Sequence, residues 1–259
     1  MTLPARRPTS GWDLWTFPPS LDSELARFLL THYGVAHREH PHALVFSSFA
    51  TLRRGTVLFP LVDGDGLRTT SVRRVLEHLD ARCAPELRLL PEGGAGWTAD
   101  WTLFHTRLAT ATTVLAYYHL LPLRTVMTGP LSRGAPRHEV AAVRRCYPLF
   151  AGLLRVLLRL TATRGARAEA DLDAVLAEVD RRLSDGRPYL AGDRLTVSDV
   201  AFAVAAAPAA WPPQYGGAVP AYEELPPALR SVVDRVRDRP AGAHALRVYR
   251  EHRRRPATT

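Results

Sequence analysis

Two serines stand three residues apart at the mouth of a helix. In "TFPPSLDSELARFLL", residues 16–30, a short strand runs into Pro18 and Pro19, and a helix opens on Ser20-Leu-Asp-Ser23. This is the spacing of a redox Cys-x-x-Cys pair, with hydroxyls in place of both sulfurs. Serine is also a favoured helix N-cap, so either residue could simply satisfy a backbone N–H. Ser71 in "TTSVRRVLEHLD" (69–80) opens another helix and carries the same two readings, a plain cap or a contact for an anion. "HREHPH" (37–42) groups three imidazoles. With no cysteine and no carboxylate pair beside them, a strand followed by a polar loop is favoured over a metal site.

A sharper pattern lies near the C-terminus. In "YLAGDRLTVSDVAFA" (189–203), Thr196 precedes Asp199 by three residues, the spacing of a capping box with aspartate in place of glutamate. Leu195 and Val200 occupy the hydrophobic-staple positions. Its first reading is structural: it fixes where a buried helix starts.

The elements that must position these residues fall into two textures. Residues 11–86 read as "WDLWTF" (12–17) strand, "LDSELARFLLTHYG" helix to Gly34, "VAHREH" strand, and a connecting segment. "TVLFPLV" is a further strand, "DGDG" (63–66) a hairpin turn, "LRT" a strand, and "SVRRVLEHLD" a helix. Residues 98–252 show almost no strand signal. "TADWTLFHTRLATATTVLAYYHLL" predicts a helix stopped by Pro122. "PRHEVAAVRRCYPLFAGLLRVLLRLTATRG" predicts a long helix bent at Pro148 and ended by Gly165. Apolar residues at 172, 175, 176, 179 and 183 mark another helix, closed by Gly186. The Pro/Gly-rich stretch 87–97 reads as a linker, and residues 1–10 and 253–259 as flexible ends.

Composition bounds the functional classes. The chain has 259 residues, 46% hydrophobic and 23% charged, ordinary for a globular protein. No apolar run reaches the ~18 residues of a membrane span. The start, "MTLPARRPTSGWD", lacks the apolar region of a secretory signal, and a cytoplasmic protein is expected. The only cysteines, Cys83 and Cys146, form no metal or redox spacing, which fits a reducing compartment. The net charge of +9 points at first to nucleic acid. Yet lysine, asparagine and isoleucine are all absent, and all 34 basic residues are arginine, scattered over helix faces without interleaved aromatics. The charge therefore reads as a compositional bias, and neither a nucleic acid nor a membrane partner is expected.

Taken in order, four stretches resemble the glutathione S-transferases: "TFPPSLDSELARFLLTHYG", "FPLVDGDG", "TTSVRRVLEHLD" and "PYLAGDRLTVSDVAFA". The resemblance, to a bacterial, serine-type or atypical member, covers roughly residues 12–252. It implies an α/β plus all-α protein: a thioredoxin-like βαβ-ββα thiol-binding domain followed by an all-helical domain. It also answers why the thiol-handling turn lacks its own thiols, since such a fold takes the thiol from a bound cosubstrate. Glutathione or another small thiol is implied, no metal, and a homodimer.

By register with serine-type members, Ser20 is the first candidate to face the sulfur and Ser23 the second, with Ser23 given the capping role. Pro60 matches the family's cis-proline, and Phe59 before it would hold the cysteinyl backbone. Ser71 would hold the γ-glutamyl carboxylate. Thr70 stands where the family usually places a glutamate, so the ammonium of glutathione loses its anionic partner. Trp101, His105 and Tyr117 are candidates for an acceptor pocket between the domains. The Pro-rich stretch 206–227 could close over that pocket or pack on the helical domain.

Lowering a thiol pKa by about 2 units raises its thiolate fraction roughly 25-fold at neutral pH, while nucleophilicity falls about tenfold. Ionisation alone gives little, and positioning must supply the rest. The leading expectation is an enzyme adding a small thiol to an electrophile. The alternatives are an isomerase, dehydratase or ring-opening enzyme of specialised biosynthesis on the same fold, or a non-catalytic binding or dimerisation protein.

Overall fold

The computed structural model describes residues 11–91 and 96–253. The sequence-predicted flexible segments 1–10 and 254–259, and positions 92–95 of the linker, lie outside the described residues.

Strand β1 (Trp12–Thr16) leads into α1 (Leu21–His32), β2 (His37–Pro41) and α2 (Leu44–Leu52). Strands β3 (Leu61–Gly64) and β4 (Leu67–Thr69) and helix α3 (Val72–Asp80) complete this half. The four strands run in the order β2-β1-β3-β4, with β1 parallel to β2 and antiparallel to β3. Alternation on β1 explains the layering: Trp12 and Leu14 pack with Ala26 and Leu30 of α1 and Val75 and Leu79 of α3. The β3–β4 turn places Asp65 and Gly66 at φ +49 and +76, the two left-handed residues that a tight hairpin favours. The bond Phe59–Pro60 is cis, as the resemblance implies.

The helical half begins with α4 (Trp97–Trp101), which runs through a π-helical segment (Thr102–Leu108) into α5 (Ala109–Leu120). After α6 (Arg124–Met127), α7 (Arg137–Arg145) and α8 (Tyr147–Leu157) come α9 (Ala162–Leu183), α10 (Val197–Ala210), α11 (Pro227–Arg237) and α12 (Pro240–His252). Helix α10 is buried on nearly every side. Its Phe202 and Val204 join Phe28 and Leu29 of α1, Leu76 of α3 and Phe104 in one core that spans both halves.

The helix predicted over 136–165 is two helices and the start of a third. It breaks at Cys146 and again at Arg159, which takes a left-handed φ of +50. Pro148 sits in the first turn of α8, where its missing N–H costs no hydrogen bond. Gly165 does not end a helix. It lies inside α9, where an added Cβ would come within 3.4 Å of the Tyr118 ring. The strand predicted from Thr56 starts only at Leu61, and the connecting segment holds α2, which has no side-chain N-cap to announce it. Arg253, read as part of a frayed end, is buried and bonded to Glu24.

Candidate active site

The loop from β1 to α1 is held from below. Glu39 on β2 accepts Thr16 Oγ1 at 2.6 Å and two Arg27 nitrogens, Nε at 2.9 Å and Nη2 at 2.7 Å. Burial alone would raise the Glu39 pKa, but the charge and hydrogen bonds of Arg27, with the Thr16 bond, bring it below its ordinary value. Arg27 reaches the Pro18 carbonyl, and fully buried Glu24 accepts Arg253 Nε at 2.9 Å and Gly216 N–H at 3.0 Å. The proline-rich stretch is thereby drawn down onto the start of α1. Tyr215 donates to the Pro19 carbonyl, and Ala218 N–H to that of Pro18. Only glycine allows this approach at 217, because a Cβ there would lie 2.3 Å from Pro18 O. The first part of the predicted 206–227 connection, through Ala210, instead continues α10.

On this base the two serines take different places. Ser20 is the N-cap of α1, its Oγ accepting Ser23 N–H at 3.4 Å. Ser23 is fully buried and accepts Phe17 N–H through its Oγ at 3.3 Å. The capping role assigned to Ser23 therefore belongs to Ser20, and Ser23 braces the end of β1 from below. A hydroxyl that accepts a cap bond still has its own hydrogen to donate. Ser20 is partly exposed and lines a cleft of about 400 Å³ between the sheet and the helices.

Phe59, Tyr117 and His105 line the same cleft. The π-helical segment that carries His105 brings its Nε2 to 2.9 Å from Asp22 Oδ1, in the first turn of α1. Such segments recur at functional sites. Burial, followed by nearby Tyr147, holds the Tyr117 phenol above its ordinary pKa, so it stays protonated at neutral pH. Trp101 is buried in the core and supports the cleft indirectly, stacking on the His105 ring with centroids 4.6 Å apart.

Ser71 caps α3 by accepting Arg74 N–H, while its own N–H is bonded to Thr69 Oγ1 at 3.0 Å. The histidines of "HREHPH" are held one by one: His37 by the Val35 carbonyl, His40 by Asp13 and His42 by Glu139. Sequence reasoning missed Asp22 and Arg164. The second was hidden because a helix predicted to end at Gly165 puts it in a last turn, where a cation is ordinary, whereas it stands in the first turn of α9.

Residues 162–238 match the family model for the glutathione S-transferase C-terminal domain. Over those residues the chain is similar to the glutathione S-transferases, and its overall fold is the one they have. No curated protein matches the sequence. Solved structures share this fold at low identity. Beta-etherase LigF from Sphingobium sp. strain SYK-6 is 15% identical with a TM-score of 0.55, over 92% of this chain and 99% of that one. A glutathione S-transferase from Rhodospirillum rubrum F11 is 20% identical with a TM-score of 0.52, over 92% and 91%. Glutathione S-transferase I bound with lactoylglutathione is 15% identical with a TM-score of 0.54, over 92% and 100%. No helix among the described residues is long and apolar enough to cross a membrane.

Proposed function

We propose that the protein adds a small thiol to an electrophilic small molecule, with Ser20 as the residue that faces the sulfur. The observation that carries this is the placement of Ser20: it is the N-cap of α1, partly exposed, in a cleft shared with Phe59, His105 and Tyr117. The N-terminus of α1 offers partial positive charge to a thiolate, and the Ser20 hydroxyl offers one more donor. In the reaction the thiol proton leaves to solvent, the sulfur forms a bond to the electrophilic carbon, and a leaving group departs or the new carbanion is protonated. In this reading Tyr117, a cleft residue protonated at neutral pH, donates to the acceptor.

The residues fit a thiol but fit glutathione only in part. Thr70 supplies no anion for its ammonium, and the Ser71 N–H that could receive its γ-glutamyl carboxylate is held by Thr69. That observation favours a second reading, in which the cleft serves an isomerase, dehydratase or ring-opening reaction with another thiol or none. Calorimetry with glutathione, N-acetylcysteine and cysteinyl-glycine, followed by conjugation assays on an aryl halide, tests the proposal. Binding of any of these thiols with Ser20-dependent conjugation supports it; no thiol binding transfers the cleft to the second reading.

A further inference from the structure

We infer that the cleft takes an electrophile bearing a carboxylate, received by Arg164; the inference rests on the thiol-transfer reading of that cleft. Arg164 lies in the first turn of α9, its backbone N–H capped by Thr161 Oγ1 at 3.2 Å. A cation there faces the positive end of a 22-residue helix, and no acidic residue in that turn offsets it. The side chain lines the cleft together with Ser20, Phe59, His105 and Tyr117. Its Nε is buried and has no hydrogen-bond partner.

Among the described residues, the other buried and partly buried arginines are satisfied. Arg27 is paired with Glu39, Arg182 with Asp100, Arg239 with Asp180 and Arg253 with Glu24. Arg230, whose Nε is also orphaned, has its terminal nitrogen bonded to the Glu223 and Leu225 carbonyls. Arg164 has no such bond and no carboxylate within ion-pair distance among the described residues. The other charged side chains of the cleft, Asp22 and His105, answer each other at 2.9 Å. Arg164 is therefore the cleft's uncompensated charge.

A partly desolvated guanidinium without a partner is costly, and a carboxylate satisfies its planar fork with two parallel bonds. The neighbouring walls are apolar, from Val114, Leu154, Leu157 and Leu158. The matching ligand has an apolar body and one carboxylate. The carboxylate belongs to the electrophile and not to the thiol because of where these groups stand. Arg164 and its leucines come from α8, α9 and the turn between them, whereas Phe59, Pro60, Thr70 and Ser71 all lie in the sheet half.

The test uses matched acids and esters. Binding of unreactive 3,5-dinitrobenzoate and of its methyl ester is measured by calorimetry on the parent, Arg164→Gln and Arg164→Lys. Conjugation of 4-chloro-3,5-dinitrobenzoate and its methyl ester is followed in parallel. The parent should bind the acid at least tenfold more tightly than the ester. Arg164→Gln should weaken the acid roughly 10- to 150-fold, the range of one charge-assisted hydrogen-bonding site, and leave the ester unchanged. Arg164→Lys should recover part of the preference. Equal binding of acid and ester by the parent overturns the inference, as does an equal loss of both in Arg164→Gln, which would mark a structural role. Competition between glutathione and 3,5-dinitrobenzoate also overturns it, because Arg164 would then hold the thiol's carboxylate. Arg164-dependent acid binding without conjugation of either substrate would leave Arg164 in place and remove the thiol-transfer reading instead.

Discussion

Among the described residues four helices, α1, α3, α9 and α10, open on a serine or threonine cap, and two of them, α10 and α1, are finished in opposite ways. At α10, Asp199 is fully buried and every direction around it is used. Its Oδ2 accepts Thr196 N–H and Oγ1, each at 2.9 Å, and its Oδ1 accepts Leu190 N–H at 2.8 Å and faces His244 Nε2 at 3.0 Å. Val200 is fully buried beside this box, and Leu195 packs against the same core. At α1, Ser20 makes a single cap bond of 3.4 Å and looks into a cleft. The same local signal thus closes one helix end and leaves the other open. A closed end sets where a helix sits in the core; an open end has donors and dipole left for a ligand.

The contrast should appear first in stability. Asp199→Ala leaves two buried N–H groups and His244 without their partner, and should lower stability by roughly 3–5 kcal/mol in denaturant unfolding. An unfolding midpoint unchanged by this substitution would remove the distinction between the two ends. Ser20→Ala should do the reverse: a melting temperature near the parent's, with turnover on any thiol acceptor reduced roughly 10- to 150-fold, one hydrogen bond to a charged group. Ser23→Ala sharpens the assignment within α1. It leaves the Phe17 N–H unsatisfied beneath the sheet, so stability should fall by about 1–2 kcal/mol, while thiol turnover falls much less than in Ser20→Ala.

The open end also depends on pH through its bracing. Glu39 has a lowered pKa in the folded protein, so its contribution is present above the unfolded value of 4.5 and is lost as pH falls through the folded value. Acid unfolding curves of the parent and Glu39→Gln should therefore converge below that range and separate above it. Parallel curves across the whole range would show that the Glu39–Arg27 pair does not couple folding to protons here. The smallest expected change concerns Thr70→Glu, which supplies an anion where the family usually has one. It should tighten glutathione several-fold in calorimetry and leave a thiol without an ammonium unaffected.

The sequence carried the closed end better than the open one. Thr196-x-x-Asp199 is a local pattern, so spacing alone specified the box, while Leu190 and His244, which complete it, lie 9 and 45 positions away. The βαβ-ββα order was legible for the same reason, from the two-residue alternation of "WDLWTF" and the turn at Asp65–Gly66. The division of labour between Ser20 and Ser23 was not legible, because both residues suit a cap. What decides between them is which one lies under β1, a tertiary fact. Asp22 meets His105 across 83 positions and Glu24 meets Arg253 across 229, and no local window contains such pairs. The breaks at Cys146 and Arg159 escaped because the apolar period continues through them.

The proposed role of Ser20, at the open end of α1, is to stabilise a bound thiolate. Its most direct test is a pH titration of the ultraviolet absorbance of a protein-bound thiol, glutathione or whichever small thiol binds, in the parent and in Ser20→Ala. In the parent, the bound thiol should ionise below its ordinary pKa of about 8.5, and in Ser20→Ala that value should move back up because the charged form has lost a donor. An ionisation unchanged by the substitution, or one no lower in the complex than in free solution, would contradict the claim.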